Sequence, residues 1–477
     1  MINSFIVIMC LVIILRGNGY MTNNQLTKIE IDNYKAFNGF VMRLCPQEGL
    51  NLNLLIGRNG SGKSSFLDAL AEIACNNLTS APDKSVDNTS FQYGLTLKSR
   101  ENKQEINNIQ KTATGLWDKV VRFYTGYTER AFEEKNQNII SGNSETFRKA
   151  LWAYLAGGFN TQDDNWHKLI NLIFNNNFTK EPINTLKIKA LWIDTINIIT
   201  KESLDDGETE VDDFIKNNFE NEPDVCLPMA SEEDKDVRRS FWTMRANGIL
   251  AKGVRDNPYV FFEQFCNAFK QNKIDRCGFL YELNGKDETF EEQFLSDGEN
   301  GFMSRYALLY LISKTTNEKF LILLDEPETH FNEHWKRYFL KLLCDVLAQK
   351  DTDVFVATHS AMLVSDVKKH ELHRFELNDN EIISNDCLLN SYGANIIDIG
   401  QILFKMEGNI GERAKDEIEK LLNSNSKKDI EKIERLLSEV GPGEYRWRLR
   451  AKLQELMSQK KVTVPVCPLV RKRRKYA

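Results

Sequence analysis

Leu54-Leu55-Ile56-Gly57-Arg58-Asn59-Gly60-Ser61-Gly62-Lys63-Ser64-Ser65-Phe66-Leu67 decides the fold. The stretch leaves a short apolar run, Asn51 to Ile56, and continues into Ser64 to Ala74, where Phe66, Leu67, Leu70 and Ile73 recur at helical spacing. Between the two stands the GxxxxGK[ST] spacing. Its glycines let backbone N–H groups turn inward at a helix N-terminus, where they attract phosphate oxygens. Strand, glycine turn and helix in that order are the context such a loop needs. Gly57, Asn59, Gly60, Ser61, Gly62, Lys63, Ser64 and Ser65 are therefore the candidate phosphate contacts. Lys63 is expected to reach the β and γ phosphates of ATP, and Ser64 to offer its hydroxyl to Mg²⁺, which keeps several of its own waters.

A second motif lies far along the chain. Phe320 to Leu324 is an unbroken apolar run that delivers two adjacent carboxylates, Asp325 and Glu326, followed by Pro327-Glu328. Successive residues leaving a strand tip point different ways, so Asp325 suits the metal and Glu326 suits a general base acting on water. Val354 to Ala357 is another run without alternation. Such strands are covered on both faces, which predicts a central parallel sheet clothed in helices.

Two smaller pieces flank the carboxylate strand. Ser296-Asp297-Gly298-Glu299 precedes it and reads as a helix start, with Ser296 as cap and Glu299 as its capping-box partner. A cap of this form also presents N–H groups and a hydroxyl toward an anion. His359 ends the apolar strand that follows.

As a set these motifs resemble the ABC-type ATPase superfamily, in the soluble branch that includes the SMC, RecF and OLD families. The resemblance covers about half the chain, at both ends of an ATPase head. It implies an α/β P-loop NTPase fold and Mg²⁺-dependent ATP hydrolysis. It implies that Ser296 and Gly298 contact, in trans, the γ-phosphate held by a second subunit, that His359 contacts it in cis, and that Thr329 to Asn332 lies at the dimer seam. The active form would then be a homodimer or higher oligomer. Asn33-Tyr34-Lys35-Ala36-Phe37 is similar to the start of this branch, whose first strand and turn flank the adenine. Tyr124 to Glu129, Ser391 to Asn395 and Gly441 to Leu449 are similar to restriction-associated and Septu-type ATPases of bacterial anti-phage islands. That finer resemblance implies a separate nuclease subunit, of which the HNH type is one form, and nucleic acid as a partner. Gln92 is the candidate glutamine-loop residue by position alone.

The rest of the chain bounds these expectations. The 62 basic and 68 acidic residues give a net charge of -6, so no global basic field draws nucleic acid to the surface. Nine scattered cysteines without a CxxC pair suit reduced thiols in a cytoplasm. Phe5 to Leu15 is shorter than the ~20 apolar residues a membrane span needs; Met1 to Ser4 before it carries no Lys or Arg, and no small-residue cleavage site follows it. Residues 1–20 are therefore read as a leader before a true start at Met21, with no membrane partner. The expected divisions are an ATPase head in two parts, 21–128 and 274–400, a mostly helical insertion over 129–273 with an acidic segment at Glu202 to Asp236, and a helical C-terminal region over 401–477 ending in the basic cluster Arg471 to Lys475.

Other signals point to no chemistry. His330 and His334 are four apart, as in a helix-borne metal clamp, but no third ligand accompanies them. His370 and His373 read as surface residues. An OLD-like nuclease would show strand-borne acids after His359, and Asp398 stands alone there. A repair clamp would want sustained heptads, which the insertion lacks. A transporter subunit fits neither the Asp297-Gly298-Glu299 form nor the large insertion.

Overall fold

The computed structural model describes residues 25–46, 49–78, 89–98, 103–107, 116–123, 139–141, 187–197, 220–221, 238–245, 262, 264–268, 271, 273–283, 286–291, 296–314, 318–348, 350–386, 390–406 and 410–458. The chain divides into two units, 1–404 and 405–477.

The first unit is built on a seven-stranded sheet. Its strands are β3 (Leu50–Ile56), β6 (Lys119–Phe123), β7 (Ile139–Ser141), β13 (Phe320–Asp325), β14 (Thr352–Ala357), β15 (Leu372–Asn378) and β16 (Glu381–Asp386), in the order β16-β15-β3-β14-β13-β6-β7. All neighbours are parallel except the β15–β16 hairpin. The apolar runs read as doubly covered strands are so. In β13, Phe320, Ile322 and Leu324 enter one core while Leu321 and Leu323 enter the other, and Val354 and Val356 of β14 part from Phe355 and Ala357 in the same way. Each side chain withdrawn from water in this manner stabilises the fold by about 1.5–3 kcal/mol.

On one face lies α1 (Lys63–Asn76), whose Phe66, Leu67, Leu70 and Ile73 are buried as their spacing predicts. A four-stranded antiparallel sheet shares that core: β1 (Gln25–Asp32), β2 (Phe40–Arg43), β4 (Gln92–Lys98) and β5 (Lys103–Asn107), ordered β2-β1-β4-β5. Gln92 is exposed at the first position of β4, paired with Asp32. The other face carries α2 (Asp297–Lys314) and α3 (Glu333–Leu347), with Phe302, Phe331, Trp335 and Phe339 packed in the seam between them.

Charges are buried behind α1. Arg122 of β6 pairs with Asp68 of α1, their side chains 2% and 6% exposed, and Lys35 Nζ reaches the same carboxylate at 3.1 Å. At the opposite end of the sheet, Asp353 accepts from Asn51 Nδ2 at 2.9 Å and Trp117 Nε1 at 2.8 Å.

Two expectations need correction. Among the described residues of 129–273, strands outweigh helix: β8 (Lys187–Asn197), β9 (Glu220–Asn221) and β10 (Arg238–Arg245) join β11 (Ile274–Leu283) and β12 (Lys286–Glu291) in an antiparallel sheet ordered β12-β11-β8-β10-β9. β8 is rich in residue types that favour strands, and it pairs with β10 on one side and β11 on the other. The helical stretches read at Phe147 to Ala156 and Trp166 to Phe174 lie outside the described residues, as does nearly all of Glu202 to Asp236. His373 is not a surface residue. It sits on β15 against β3, 5% exposed, with Nε2 3.1 Å from Asn53 Oδ1.

The second unit contains α6 (Glu412–Leu422), α7 (Ile430–Glu439) and α8 (Glu444–Ser458), closed on Ile418, Ile433, Leu449 and Leu456. The helices fall where their apolar spacing placed them. Between sheet and boundary come α4 (Ala361–Val364) and α5 (Ile396–Leu403), the latter capped by Asn395, whose side chain accepts from Ile397 N at 2.9 Å. No helix among the described residues is long and apolar enough to cross a membrane.

Removing one member of a buried ion pair strands the other in low dielectric, so Asp68→Ala is expected to lower unfolding stability by about 3–5 kcal/mol. A urea titration of both proteins checks this, and an unchanged midpoint contradicts it.

Candidate functional site

The C-terminal tips of β3, β13 and β14 end side by side, since Asp325 pairs with Ala357 and Ala357 with Leu55. Three chain segments leave these tips and form the site. From β3 comes the glycine loop, whose last glycine, Gly62, is the N-cap of α1 with φ of 93°. A side chain there would be strained by that angle and would also meet Ile382 Cδ1 at 2.2 Å. Glycine leaves room for the loop to fold against β16. No side chain caps α1, so its first N–H groups face the loop. Ser61 Oγ is buried with no hydrogen-bond partner among the described residues. Uncapped amides, an orphaned hydroxyl and a lysine make a donor-rich cradle of the kind that phosphate oxygens fit. Asn59 and Gly60 are exposed at its rim, and Ser64 and Ser65 are half-buried in the first turn of α1, where Lys35 Nζ lies 3.4 Å from Ser65 Oγ.

Lys63 is folded into this cradle. Its Nζ donates to Gly57 O at 3.0 Å and Arg58 O at 3.2 Å, and lies 2.8 Å from His359 Nε2. An ammonium only donates, so Nε2 is the acceptor and His359 is the neutral tautomer protonated at Nδ1. Burial lowers the Lys63 pKa to about 8, against the pull of Glu326, Asp325 and Glu328. Burial first, then Lys63, lowers His359, while Asp325 acts the other way.

From β13 come the carboxylates. Asp325 ends the strand, 9% exposed, and Glu326 continues the ladder with its N–H on Ala357 O at 2.8 Å. Glu326 then takes φ of 48°, a left-handed conformation costing a non-glycine residue about 1–3 kcal/mol. That turn breaks the strand and sends the side chain toward β14, where Oε1 lies 3.5 Å from His359 Nε2. Thus the structure brings Lys63 and Glu326 to His359. Ser64 and Asp325 are hard oxygen donors, and one or two such ligands are what Mg²⁺ takes from a protein beside phosphate and water. Among the described residues no group of three or more His, Cys, Asp and Glu side chains could hold a metal. His334 instead packs on Tyr338, with ring centroids 5.0 Å apart.

Ser296 and Glu299 form the capping box: Ser296 N and Oγ donate to Glu299 Oε2 at 2.9 and 2.7 Å, and Glu299 N donates to Ser296 Oγ at 3.3 Å. Gly298 has a second reason to be glycine. A Cβ there would stand 2.5 Å from the carbonyl oxygen of His330, so the start of α2 is pressed on the turn that follows β13 in the same chain.

Sequence reasoning missed Arg122 and the pair Glu328 and Thr358. An arginine inside the compact β run Val120 to Phe123 was a visible signal for the first. Thr358 Oγ1 donates to the buried Glu328 Oε1, and only the pairing of two distant strands brings them together.

A family model described as AAA ATPase domain matches residues 25–364. No curated protein matches the sequence. Among solved structures, the chain is similar to an SMC head bound to the C-winged helix domain of ScpA, at 12% identity and TM-score 0.32, covering 76% of this chain and 97% of that one. It is similar to the SMC head domain from Thermotoga maritima, at 10% identity and TM-score 0.32, covering 76% and 100%. It is also similar to the recombination mediator protein RecF with ATP, at 13% identity and TM-score 0.31, covering 77% and 99%.

Two outcomes follow from this geometry. A polyanion bound at the cradle favours charged Lys63, raising a pKa that stands at about 8 without it. Below that value Lys63 is charged in both states and pH has no lever; above it, binding takes up a proton. ATP affinity should therefore fall by about tenfold per pH unit above 8, with proton uptake visible by calorimetry in buffers of different ionisation enthalpy. Separately, Gly298→Ala forces α2 away from the His330 carbonyl and should cost about 1–3 kcal/mol of stability in thermal denaturation without nucleotide, where a residue acting only on a second subunit's phosphate would show no change.

Proposed function

Because the chain belongs to the AAA ATPase domain family, we propose that it is an ATP-driven dimer switch whose site hydrolyses Mg-ATP at the tips of β3, β13 and β14. The observation that carries this is the convergence of Lys63 and Glu326 on His359, at 2.8 and 3.5 Å from its Nε2, beside the uncapped N-terminus of α1.

The loop amides and Ser61 grip the phosphates, and Lys63 exchanges its contacts with Gly57 O, Arg58 O and His359 for β and γ oxygens. Ser64 and Asp325 are the residues that would hold Mg²⁺, which would supply neutralisation of charge on the transferring phosphoryl group. Glu326, on its left-handed turn, orients the attacking water and accepts its proton. His359, released by Lys63 and neutral, is free to donate from one ring nitrogen to the γ-phosphate while Glu326 stays within reach.

Ser296 is exposed at the start of α2, so its hydroxyl and the neighbouring amides are available to a second copy. The site is completed head to tail, with Ser296 and Gly298 against the partner's γ-phosphate. Hydrolysis then opens the dimer. We place this switch in an anti-phage or restriction-associated system, in which it senses nucleic acid and licenses a separate nuclease. Support comes from the resemblance at Tyr124 to Glu129, Ser391 to Asn395 and Gly441 to Leu449. Of these, Tyr124 to Glu129 lies outside the described residues.

Removing the base while keeping the shape separates these steps. Glu326→Gln is expected to lower ATP turnover by about 10²-fold or more and to accumulate a species of twice the 55.1 kDa chain mass in light scattering with ATP. Turnover at the wild-type rate by a strict monomer would sink both the base and the trans contacts. DNA cutting by the pure chain would place the nuclease within it.

A further inference from the structure

Just beyond the active tips, β13 and β14 are joined once more by side chains that the hydrolytic roles above do not use. The last backbone contact between the strands is Glu326 N to Ala357 O at 2.8 Å. Past it the chains diverge: β13 turns through Pro327, and β14 runs on through Thr358 to His359. The turn closes on itself with Thr329 N on Glu326 O and Phe331 N on Glu328 O, both at 3.0 Å. From inside it, Glu328 reaches across to Thr358. Thr358 Oγ1 accepts from Ser360 N at 2.9 Å, which leaves its hydroxyl hydrogen for Glu328 Oε1. Thr358 N in turn donates to Leu55 O at 3.0 Å, anchoring the same residue to β3.

Resting on the proposed roles of Glu326 and His359, we propose that Glu328 is a positioning residue: through Thr358 it clamps the turn after β13 to the exit of β14 and so fixes Glu326 against His359. Glu326 stands two residues before one end of the clamp and His359 one residue after the other. Their 3.5 Å separation is flanked by two links between the strands, the Glu326–Ala357 backbone bond and the buried Glu328–Thr358 bond.

The chemistry of Glu328 suits this task. The residue is 6% exposed, and its Oε1 accepts from the Thr358 hydroxyl. Burial raises its pKa, opposed by the Thr358 hydroxyl and by the N–H dipoles of Glu328 and His359. A group this dry gains much from one good donor and loses it when the turn shifts. Since the turn continues to His330, whose carbonyl abuts Gly298, a displacement of α2 is transmitted to the turn that holds Glu326.

The test measures kcat, KM for ATP and binding of a fluorescent ATP analogue in the full chain. Glu328→Ala and Thr358→Val should each lower kcat by about 10- to 100-fold with KM and analogue affinity unchanged, and the double variant should be no worse than either. Glu328→Gln, whose amide oxygen still accepts from Thr358, and Thr358→Ser, which keeps the hydroxyl, should restore turnover. Glu326→Gln is run beside them. Wild-type kcat in Glu328→Ala and Thr358→Val with a dead Glu326→Gln overturns the clamp alone. An active Glu326→Gln overturns the base assignment and the clamp with it. Parallel loss of binding and kcat, with no rescue by the conservative variants, shows Glu328 to be a structural residue only. Should Glu328→Ala fail to fold, the Thr358→Val and Thr358→Ser pair decides.

Discussion

The pairing of β13 with β14 governs the whole site. Six consecutive residues on each strand are buried, and their parallel register brings Asp325 level with Ala357, so both chains leave the sheet at the same height. A slip of one residue would send Phe320, Ile322 and Leu324 into the core meant for Leu321 and Leu323. It would also carry Glu326 away from His359. The two apolar cores thus hold the catalytic spacing to within a residue, although neither core touches the chemistry. Strand tips in parallel sheets are where ligands bind for this reason: the sheet is rigid below and the chain is free to turn above.

That rigidity is spent on two local departures from low energy. Glu326 is held left-handed, and Lys63 is held in a pocket that lowers its pKa. Neither would persist on a loose loop. Glu326 is over-determined by the ladder bond beneath it and by the closed turn above it. Lys63 is kept in place by two carbonyls and a neutral histidine, contacts that a phosphate can replace without moving the backbone. A phosphate bound there would favour the charged form that burial disfavours.

Much of the site was legible because its chemistry is local in sequence. The glycine loop, Asp325 with Glu326, and the Ser296–Glu299 box each declare themselves within a few residues, since backbone cradles, strand tips and caps are built from neighbours. Helices α6, α7 and α8 were legible for the same reason. What failed was non-local. The sheet made by β8, β10 and β11 was missed because its strands lie far apart in the chain and are joined only by cross-strand pairing. His373 looked polar and exposed because nothing nearby shows that Asn53 waits for it on a strand more than three hundred residues earlier. Glu328 was read as the tail of a motif, yet its partner Thr358 is brought to it by the parallel register alone.

Gly298 shows how these two kinds of information meet in one residue. As part of a phosphate-facing cap it would be glycine so that a second subunit's nucleotide can approach. Within its own chain it must be glycine because the His330 carbonyl already occupies the space of a Cβ. A contact that close leaves little room for independent motion, and Phe302, Phe331 and Trp335 fill the seam beside it while Arg305 stacks over Phe331. Whatever pushes on the start of α2 from outside therefore pushes on the turn after Glu326. The surface expected to meet the partner and the residue expected to hold the water are ends of one packed unit. If a second copy docks at the start of α2 as proposed, that steric contact would couple docking to the turn that carries Glu326, with no need for a flexible relay between them.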